Sequence, residues 1–309
     1  MLRQQAFTGQ TPLLKGALHC HTTRSDGQET PPEIIRLHRE RGYDFLSVTD
    51  HRLYNYQNFS PDTEITIIPG MEMDYRLPLP GISHYHFVCV GPPAGGGNGY
   101  KQDQTMQSEP IVNGQADVQA ALDEIHANGN LTIHCHPEWS GIPSRGFDQL
   151  AGNFAMEIWN SGCVVEHDLD SNAAYWDELL MMGKRIYGVA TDDGHQMSHH
   201  FIGYVKVNAR NTVPDILRAL KSGAFYASCG PVIHDFYVDN GVAVLACSPA
   251  FYAGFRYGGL PSRLTFADKE PVTRAETKVP SFFSYIRGIV KDENGRMAWT
   301  NPIFLNSPD

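Results

Sequence analysis

The chain up to about residue 225 alternates short apolar runs with amphipathic stretches. The apolar runs predict strands, and the stretches with helical periodicity predict helices. The predicted strands are 16–21, 45–50, 65–73, 86–90, 131–136, 155–160, 186–191 and 204–207. The predicted helices are 32–41, 117–128, 169–182 and 213–222. This alternation is typical of a parallel sheet, and the number of strands favours closure into a barrel.

The pattern changes beyond Ser228, where helical periodicity disappears. Short apolar runs at 242–247, 262–267 and 282–291 are separated by turn signals, and residues 292–296 (DENGR) predict a hairpin turn. We therefore predict an α/β domain over residues 1–228 and a small antiparallel β-domain over 229–309. Residues 92–113, rich in Gly, Pro and Gln, predict a surface loop or lid.

Composition and charge narrow the class of protein. The 309 residues are 41% hydrophobic and carry a net charge of −10 without a basic stripe, which argues against a nucleic-acid or anionic-membrane surface. There is no run of about 18 apolar residues, so no membrane-spanning helix is expected. The N-terminus lacks the pattern of a secretory signal, and the six cysteines form no C-x-x-C pair. We therefore expect a cytoplasmic protein; its oligomeric state cannot be read from the sequence.

Residues of metal-ligating type recur at the ends of the predicted strands. They are His19, His21, His51, Glu72, His84, His86, His134, His136, Asp193 and His195. In parallel β/α folds the carboxyl ends of the strands converge on one face, so these residues are expected to be neighbours. Burying so many imidazoles and carboxylates is costly unless a cation organises them. Mixed ligands of this kind suit zinc, manganese or iron better than calcium.

Spacing within the strands predicts which of these side chains share a face. Side chains at i and i+2 point the same way, so His19 and His21 face together while Cys20 points away. We expect Cys20 and Cys135 to be buried as small apolar residues. Two choices stay open on spacing alone: His84 or His86, and His134 or His136.

The motifs resemble those of the PHP (polymerase and histidinol phosphatase) family. They occur in the family's order over residues 15–228: His19-x-His21-Thr22-x-x-Ser25-Asp26-Gly27, Thr49-Asp50-His51, Gly70-x-Glu72, His86 before an apolar run ending in Gly91, His136-Pro137 and Asp193-x-His195. The tail resembles the small β-domain of the CehA/McbA branch of PHP-like metallohydrolases, through Gly230-Pro231 and Ala298-Trp299-x-Asn301-Pro302-Ile303. The resemblance implies an α/β fold, a distorted (β/α)7 barrel with a small C-terminal antiparallel β-domain.

The resemblance also implies two or three divalent metal ions (Mn, Zn or Fe) and their ligands. One ion would be held by His19, His21, Glu72 and Asp193. A second would be held by Glu72, His86 and His136, with Glu72 bridging. A third would be held by Asp26, His51 and His195. The resemblance alone selects His86 over His84 and His136 over His134.

The function implied is that of a metal-dependent hydrolase, with a phosphoesterase favoured. A metal-activated hydroxide near Glu72 would attack a small phosphorylated substrate. We assign catalytic roles to Glu72, Asp193 and His195, with His195 or His84 able to protonate the leaving group. Substrate contacts are predicted for Arg24, Arg145, His84 and Glu157. Two alternatives stay open: an ester, carbamate or amide hydrolase, which apolar walls without a basic clamp would favour, and a non-catalytic metal-binding domain.

The remaining polar candidates carry weaker predictions. Asp50 and Asp192, beside ligand positions, are expected to orient imidazoles. Asn160 is expected to face the pocket at the end of its strand. His199 and His200 are expected at the surface, because they lie on a polar loop. The other histidines, His38, His126, His167 and His234, show no pattern that predicts a role.

Overall fold

The fold is described from a computed structural model over residues 4–7, 13–78, 84–92, 108–170, 172–258, 262–280 and 282–305. Most of the predicted loop or lid, residues 93–107, lies outside the described residues. The described ranges contain the helices α1 (Pro31–Glu40), α2 (Gln115–Ala127), α3 (Ser161–His167), α4 (Asn172–Met181) and α5 (Val213–Ser222). None of them has the length and apolar character needed to cross a bilayer.

The helices begin and end largely where the sequence indicates. Helix α5 spans the predicted residues, with the Thr212 side chain accepting the Asp215 N–H at its start and Gly223 at φ +75° at its end. Helix α1 carries prolines in its first turn, where the missing N–H costs nothing. The seven-residue α3 was not predicted, because it is short and follows its strand without a loop. Asn160 caps it by accepting the Cys163 N–H.

The strands form three sheets. In chain order they are β1 (Gln4–Gln5), β2 (Leu13–Ala17), β3 (Phe45–Leu46), β4 (Thr66–Ile67), β5 (Gly70–Arg76), β6 (His84–Val90), β7 (Leu131–His134), β8 (Ala155–Asn160), β9 (Tyr187–Thr191), β10 (Tyr204–Asn208), β11 (Phe225–Ser228), β12 (Ile233–Asp239), β13 (Val242–Ala250), β14 (Tyr252–Arg256), β15 (Arg263–Phe266), β16 (Val272–Lys278), β17 (Tyr285–Lys291), β18 (Met297–Thr300) and β19 (Ile303–Phe304). The largest sheet has the order β15-β14-β17-β18-β11-β10-β2-β3-β4, with β19 beside β17. The others are β5-β6-β7-β8-β9 and β1-β12-β13-β16.

The chain is therefore a mixed α/β protein, but the predicted (β/α)7 barrel is not confirmed. No sheet within the described ranges closes on itself. Strands β5 and β6 pair antiparallel, because their connection is too short to hold a crossover helix. Strands β6 and β7 also pair antiparallel, although helix α2 lies between them in the chain. Two single bridges, Cys20 to Gly194 and His51 to Glu72, nevertheless join the two larger sheets. These bridges bring the ends of β2, β3, β5 and β9 together.

The apolar core lies between the helices and the sheets. Helix α1 buries Ile34 and Ile35 with Leu46 and Val48. Helix α5 buries Ile216 and Leu220 with Val205 and Val207. Helix α4 buries Trp176 and Leu180 with Met156 and Ile158. Helix α1 thus covers β3, the strand that leads to the candidate ligand His51.

The strands after residue 228 pair antiparallel. Strands β14, β15, β17 and β18 extend the largest sheet, whereas β12, β13 and β16 form the sheet that includes β1. Strand β18 pairs with β11, so this part shares hydrogen bonds with residues before the predicted boundary. The Asn301 side chain accepts the Gly188 N–H of β9 and donates to the carbonyls of Gly223 and Phe225. The tail therefore supports the strand that leads to Asp193. The division into two domains at residue 229 stays a prediction.

An ion pair fastens β17 to helix α4. Arg287 is 1% exposed and donates from Nε and Nη2 to both carboxylate oxygens of Asp177, at 2.9 and 2.7 Å. Its guanidinium also lies 4.5 Å from the ring centre of Trp176. Bidentate pairs of this kind are the stronger ion pairs of proteins.

We expect Arg287→Ala to lower the free energy of unfolding by about 2 kcal/mol, because the change removes two charge-assisted hydrogen bonds and leaves Asp177 without this partner. Asp177 is 18% exposed, so water offsets part of the loss. Urea denaturation followed by circular dichroism measures the change. The control is Arg263→Ala on the edge strand β15, where a loss below about 0.5 kcal/mol is expected. Equal losses in the two variants would contradict the prediction.

Candidate metal centre

The nine predicted metal ligands lie together where the strand ends meet. Their ligand atoms form three groups, within each of which all atoms lie within 4.8 Å of one another. The groups are His19, His21, Glu72 and Asp193; Glu72, His86 and His136; and His21, Asp26, His51 and His195. The first two have the composition that the PHP resemblance implies, and the third adds His21. Their roles as ligands stay predictions.

Glu72 lies at the centre of the cluster and is 1% exposed. One carboxylate oxygen, Oε1, lies 2.8 Å from His86 Nδ1 and 3.4 Å from His136 Nε2. The other, Oε2, lies 3.2 Å from His21 Nε2 and 3.0 Å from His51 Nδ1. The nearest neighbours of each oxygen are therefore a different pair of imidazoles, with His19 Nε2 a third neighbour of Oε1 at 3.5 Å. A carboxylate with imidazoles on both oxygens is suited to bridge two ions.

In the first group, the lone pairs of ring nitrogens and of a carboxylate oxygen point towards one another. His19 Nδ1 contacts Glu157 Oε1 at 2.7 Å, and in a neutral ring that donates there, the lone pair lies on Nε2. That Nε2 lies 3.1 Å from His21 Nε2, and both lie 3.1 to 3.2 Å from Asp193 Oδ1. Asp193 Oδ1 is buried without a hydrogen-bond partner among the described residues. Converging lone pairs repel one another unless a cation lies between them, so these residues fit a metal ion.

The electrostatics of the buried groups lead to the same conclusion. Burial by itself would lower the pKa of His19 and His21, yet the surrounding carboxylates raise both well above the ordinary value. Burial would raise the pKa of Glu72, but His51, His19 and His86 lower it well below its usual range. The buried carboxylates thus require positive charge beside them. Divalent cations supply that charge in place of protons on the imidazoles.

The third group is the most exposed part of the cluster. Asp26 is 53% exposed at its side chain, and its two oxygens lie 3.5 Å from Nε2 of His195 and of His51. The ring of His195, 32% exposed, stacks on that of His21 with centres 4.1 Å apart. This side of the cluster therefore faces the solvent and any substrate.

Two of the candidate ligands have unusual backbone angles. His136 has φ +23° and Asp193 has φ +49°, values that residues other than glycine rarely adopt. Both lie just beyond a strand, since β7 ends at His134 and β9 ends at Thr191. Backbone strain of this kind concentrates at functional sites. Because the strand ends early, the rule that i and i+2 share a face does not apply to His134 and His136.

The structure separates the histidine pairs that spacing could not. In the first pair, His86 lies in the cluster, while His84 lies at the rim with Nε2 3.2 Å from Glu109. In the second pair, His134 is buried with its ring centre 4.6 Å from that of Phe147. His136, the other member of that pair, lies in the cluster.

The cluster forms the floor of a cavity of about 300 Å³. The walls are Asp26, His51, Glu72, His86, His136, Trp139, Gly162, Cys163, Glu166, His167, Asp193, His195 and His199. The predicted substrate contacts Arg24 and Arg145 are not among them. Arg24 donates to Asn55 at 2.5 Å, and Arg145 is exposed on a short 3-10 turn. Within the described ranges no arginine or lysine lines this cavity.

Glu157 lies beneath the cluster and not in the cavity where a substrate contact was predicted. It is fully buried and contacts His19 through Oε1. It also accepts the His136 N–H at 3.0 Å, the Asn160 side-chain N–H at 2.8 Å and the Thr191 hydroxyl at 2.6 Å. Strand β8 points this carboxylate inward at the imidazoles. We therefore assign Glu157 to positioning His19, a role that carboxylates commonly serve beside metal-binding histidines.

Glu157→Gln is expected to weaken metal binding 10- to 100-fold, because the amide carries no charge and cannot accept all four hydrogen bonds. Competition between the metal-stripped protein and a chromophoric chelator measures the affinity. Glu124→Gln, the same change at an exposed position of α2, is the control and should leave the affinity unchanged. An unaltered affinity in Glu157→Gln would refute the positioning role.

Asp50 orients a loop instead of the imidazoles for which it was predicted. It accepts hydrogen bonds from the Thr22 N–H at 2.8 Å, the Ser25 hydroxyl at 2.8 Å and the Asn55 side chain at 2.9 Å. The loop that it holds carries Asp26. Asp50 therefore sets the position of the exposed carboxylate of the third group.

The sequence reasoning missed one wall of the cavity. His199, predicted at the surface, is 1% exposed, and its Nε2 lies 3.1 Å from Glu166 of helix α3. His200 is likewise buried, at 4%. The loop folds inward because Asp192 accepts the N–H groups of residues 201–203. The only signal in the sequence was Asp192 itself, a carboxylate that precedes the loop.

A solved structure shares this architecture along nearly the whole chain. It is a two-domain protein from Bacteroides vulgatus, described as containing a predicted PHP-like metal-dependent phosphoesterase; the match has a TM-score of 0.51 and 15% identity over 96% of each chain. The chain has a PHP-like fold. The match includes the tail, so the second protein carries a comparable C-terminal part.

Two further solved structures match a smaller part of the chain, 59% of it and 88% of each of theirs. One is described as a metal-dependent phosphoesterase from Bifidobacterium adolescentis, with a TM-score of 0.41 and 12% identity. The other is an amidohydrolase from Chromobacterium violaceum with bound sulfate and no metal, with a TM-score of 0.43 and 16% identity. No family model and no curated protein matches the chain.

Proposed function

We propose that this chain is a metal-dependent hydrolase that cleaves a small phosphate ester. The observation that carries the proposal is Glu72, whose two oxygens face two pairs of imidazoles at the floor of an open cavity. A carboxylate in that position is suited to bridge two cations. The volume of about 300 Å³ lies at the lower end of small-molecule sites, which supports a metabolite of modest size as the substrate.

The cluster would hold two or three ions of manganese, zinc or iron through its nine side chains. Such ions lower the pKa of a coordinated water and stabilise the negative charge that develops on a phosphoryl oxygen. The chain's own groups supply orientation and protons. His195 Nδ1 contacts the Asp193 carbonyl at 2.9 Å, which turns Nε2 towards Asp26 and the cavity. We propose that His84 at the rim, or His195 when only two ions are bound and its Nε2 is free, protonates the leaving group.

A second candidate is an ester, carbamate or amide hydrolase. Its support is the cavity wall, which contains Trp139 but no arginine or lysine of the described ranges. The Trp139 ring lies 5.6 and 5.0 Å from the rings of His86 and His136. An apolar surface beside the reacting centre suits an aryl or alkyl group. Phosphate binding would instead depend on the ions for positive charge. The first candidate therefore requires a negatively charged substrate, whereas the second favours an uncharged one.

An assay of the reconstituted protein distinguishes these functions. The stripped chain is loaded with manganese, zinc or ferrous iron and tested on phosphomonoesters, phosphodiesters, aryl esters and carbamates, with the Glu72→Gln protein as the blank. Our proposal expects turnover of a phosphate ester. Turnover of esters or carbamates alone would establish the second candidate, and a loaded cluster without any turnover would favour a non-catalytic domain.

The other parts of the proposal depend on the sequence. Membership of the CehA/McbA-like branch depends on the tail motifs, and the antiparallel strands at 233–304 are compatible with it. A cytoplasmic location is supported by six cysteines that are all free and buried. The expected partner is a small phosphorylated molecule and not a nucleic acid or a membrane. Cell fractionation tests the location. Binding assays with small phosphorylated molecules, nucleic acids and membranes test the class of partner.

A further inference from the structure

A second group of ligand-type side chains lies outside the cavity. It consists of His38 on α1, Asp192 just after β9, and His200 on the loop that follows. One ligand atom from each lies within 4.8 Å of the others. The three residues are 0%, 1% and 4% exposed, and none of them lines the cavity of the main cluster. Asp192 and Asp193 are consecutive, yet their carboxylates lie near different histidines.

His38 has the orientation of a metal-binding histidine. Its Nδ1 lies 2.8 Å from the carbonyl oxygen of Ile34, so Nδ1 carries the proton and Nε2 carries a lone pair. This Nε2 is buried and has no hydrogen-bond partner among the described residues. Burial lowers the pKa of His38 to about 4, so the ring is neutral. A backbone carbonyl that fixes the tautomer in this way is a usual companion of a metal ligand.

His200 leaves both of its ring nitrogens without a hydrogen bond in the described part of the chain. Its Nε2 lies 3.5 Å from a Glu29 oxygen, a contact that accounts for one nitrogen at most. Burial lowers the pKa of His200 to about 3, which opposes a charged pair with Glu29. The ring packs so closely on Gly194 that a Cβ there would lie 2.0 Å from it. The position of the imidazole is therefore fixed, although neither of its nitrogens has a hydrogen-bond partner among the described residues.

Asp192 completes the donor set with a negative charge. Its carboxylate accepts the Ser161 hydroxyl at 2.9 Å and the Gly203 N–H at 2.7 Å. Buried nitrogens without a partner destabilise a fold, and one ring nitrogen of His38 and one of His200 lie within 4.8 Å of this carboxylate. A single cation would use all three side chains at once. Two imidazoles and one carboxylate form the ligand set of zinc and related ions.

We propose that His38, Asp192 and His200 bind a further divalent transition-metal ion of the zinc class. The site is separate from the catalytic cluster, and its role is structural because it is closed to the cavity. The ion would tie helix α1 to the end of β9 and to the loop at 199–203, which lie more than 150 residues further along the chain. Closed sites of this kind contribute directly to folding.

A direct test is a crystal structure of the zinc-loaded wild-type protein with anomalous data collected at the zinc absorption edge. We expect an anomalous peak at about 2.0–2.2 Å from His38 Nε2 and from the ligand atoms of Asp192 and His200. Electron density of a water molecule at hydrogen-bond distances, without anomalous signal while the main cluster shows its own peaks, would overturn the proposal. This measurement needs no variant.

A second test counts ions in a variant. His38→Gln, loaded with zinc and desalted, should contain one ion fewer per chain by elemental analysis than the wild type. The control His234→Gln changes an exposed histidine of β12 and should keep the full count. An equal count in His38→Gln and the wild type would overturn the proposal. If His38→Gln fails to fold, the anomalous data from the wild type decide.

Discussion

Replacing Glu72 by glutamine is expected to lower kcat by about 10⁴-fold, or about 5 kcal/mol in activation free energy, and to release at least one metal ion from the loaded protein. The amide has no charge, and its NH₂ group points a donor at imidazole nitrogens that would present lone pairs to a cation. Both candidate ion positions on either side of Glu72 are affected together, because each of its oxygens contacts its own pair of histidines.

Turnover of the best substrate and elemental analysis on the same preparation measure this result. The matched control is Glu64→Gln, the same chemical change at an exposed position eight residues earlier. It should retain wild-type turnover and metal content. If Glu72→Gln keeps its full metal content and its rate, the bridging role is excluded.

His86→Ala should reduce kcat/KM by about 10³-fold, or about 4 kcal/mol, and should empty the position shared with Glu72 and His136. The reason is geometric: His86 Nδ1 lies 2.8 Å from Glu72, in the group of three whose ligand atoms converge. Such a group has no spare ligand, so the loss of one imidazole leaves too few donors to hold an ion.

The neighbouring His84→Ala is the comparison, because both histidines lie on β6 and differ in what they contact. His84 lies near Glu109 at the rim, so its variant should keep every metal ion and change KM instead. Elemental analysis and steady-state kinetics separate the two effects. Loss of metal in His84→Ala with retention in His86→Ala would reverse the assignment.

The convergence of the candidate ligands could be predicted from the sequence because their motifs lie at or near strand ends. Strand ends converge for reasons of topology, so the approach of His19, Glu72 and Asp193 needs no knowledge of loop geometry. The order of the motifs along the chain, which resembles that of the PHP family, indicated the other candidate ligands. The choice of His86 and His136 depended on the resemblance, and the structure brings those two into the cluster.

Other features of the site depend on local geometry that the sequence pattern does not encode. The positive φ of His136 ends strand β7 early and changes which side chains share a face. The short helix α3 forms through the Asn160 cap and supplies a cavity wall. Glu157 satisfied the alternation rule, yet that rule does not tell whether a residue lies above or beneath the imidazoles.

The fold was predictable in its elements more than in its connections. Helix α5 and strand β8 have the predicted bounds, because strong periodicity and clear end signals coincide there. The pairing of strands was harder to foresee, since partners distant in sequence leave no periodic signal. Closure of a sheet depends on such pairs. The single bridges at Cys20 and His51 each join only two residues, so the sequence pattern does not predict them.

Biosynthesis is constrained by the hydrogen bonds between β11 and β18. Residues 297–300 are made about 70 residues after residue 228, yet they cover the edge of the strand that ends there. Until they emerge from the ribosome, that edge is open and can pair with other nascent chains. We expect a fragment that stops after residue 228 to keep this strand edge unpaired and to aggregate. It would do so even though it contains all nine side chains of the metal cluster.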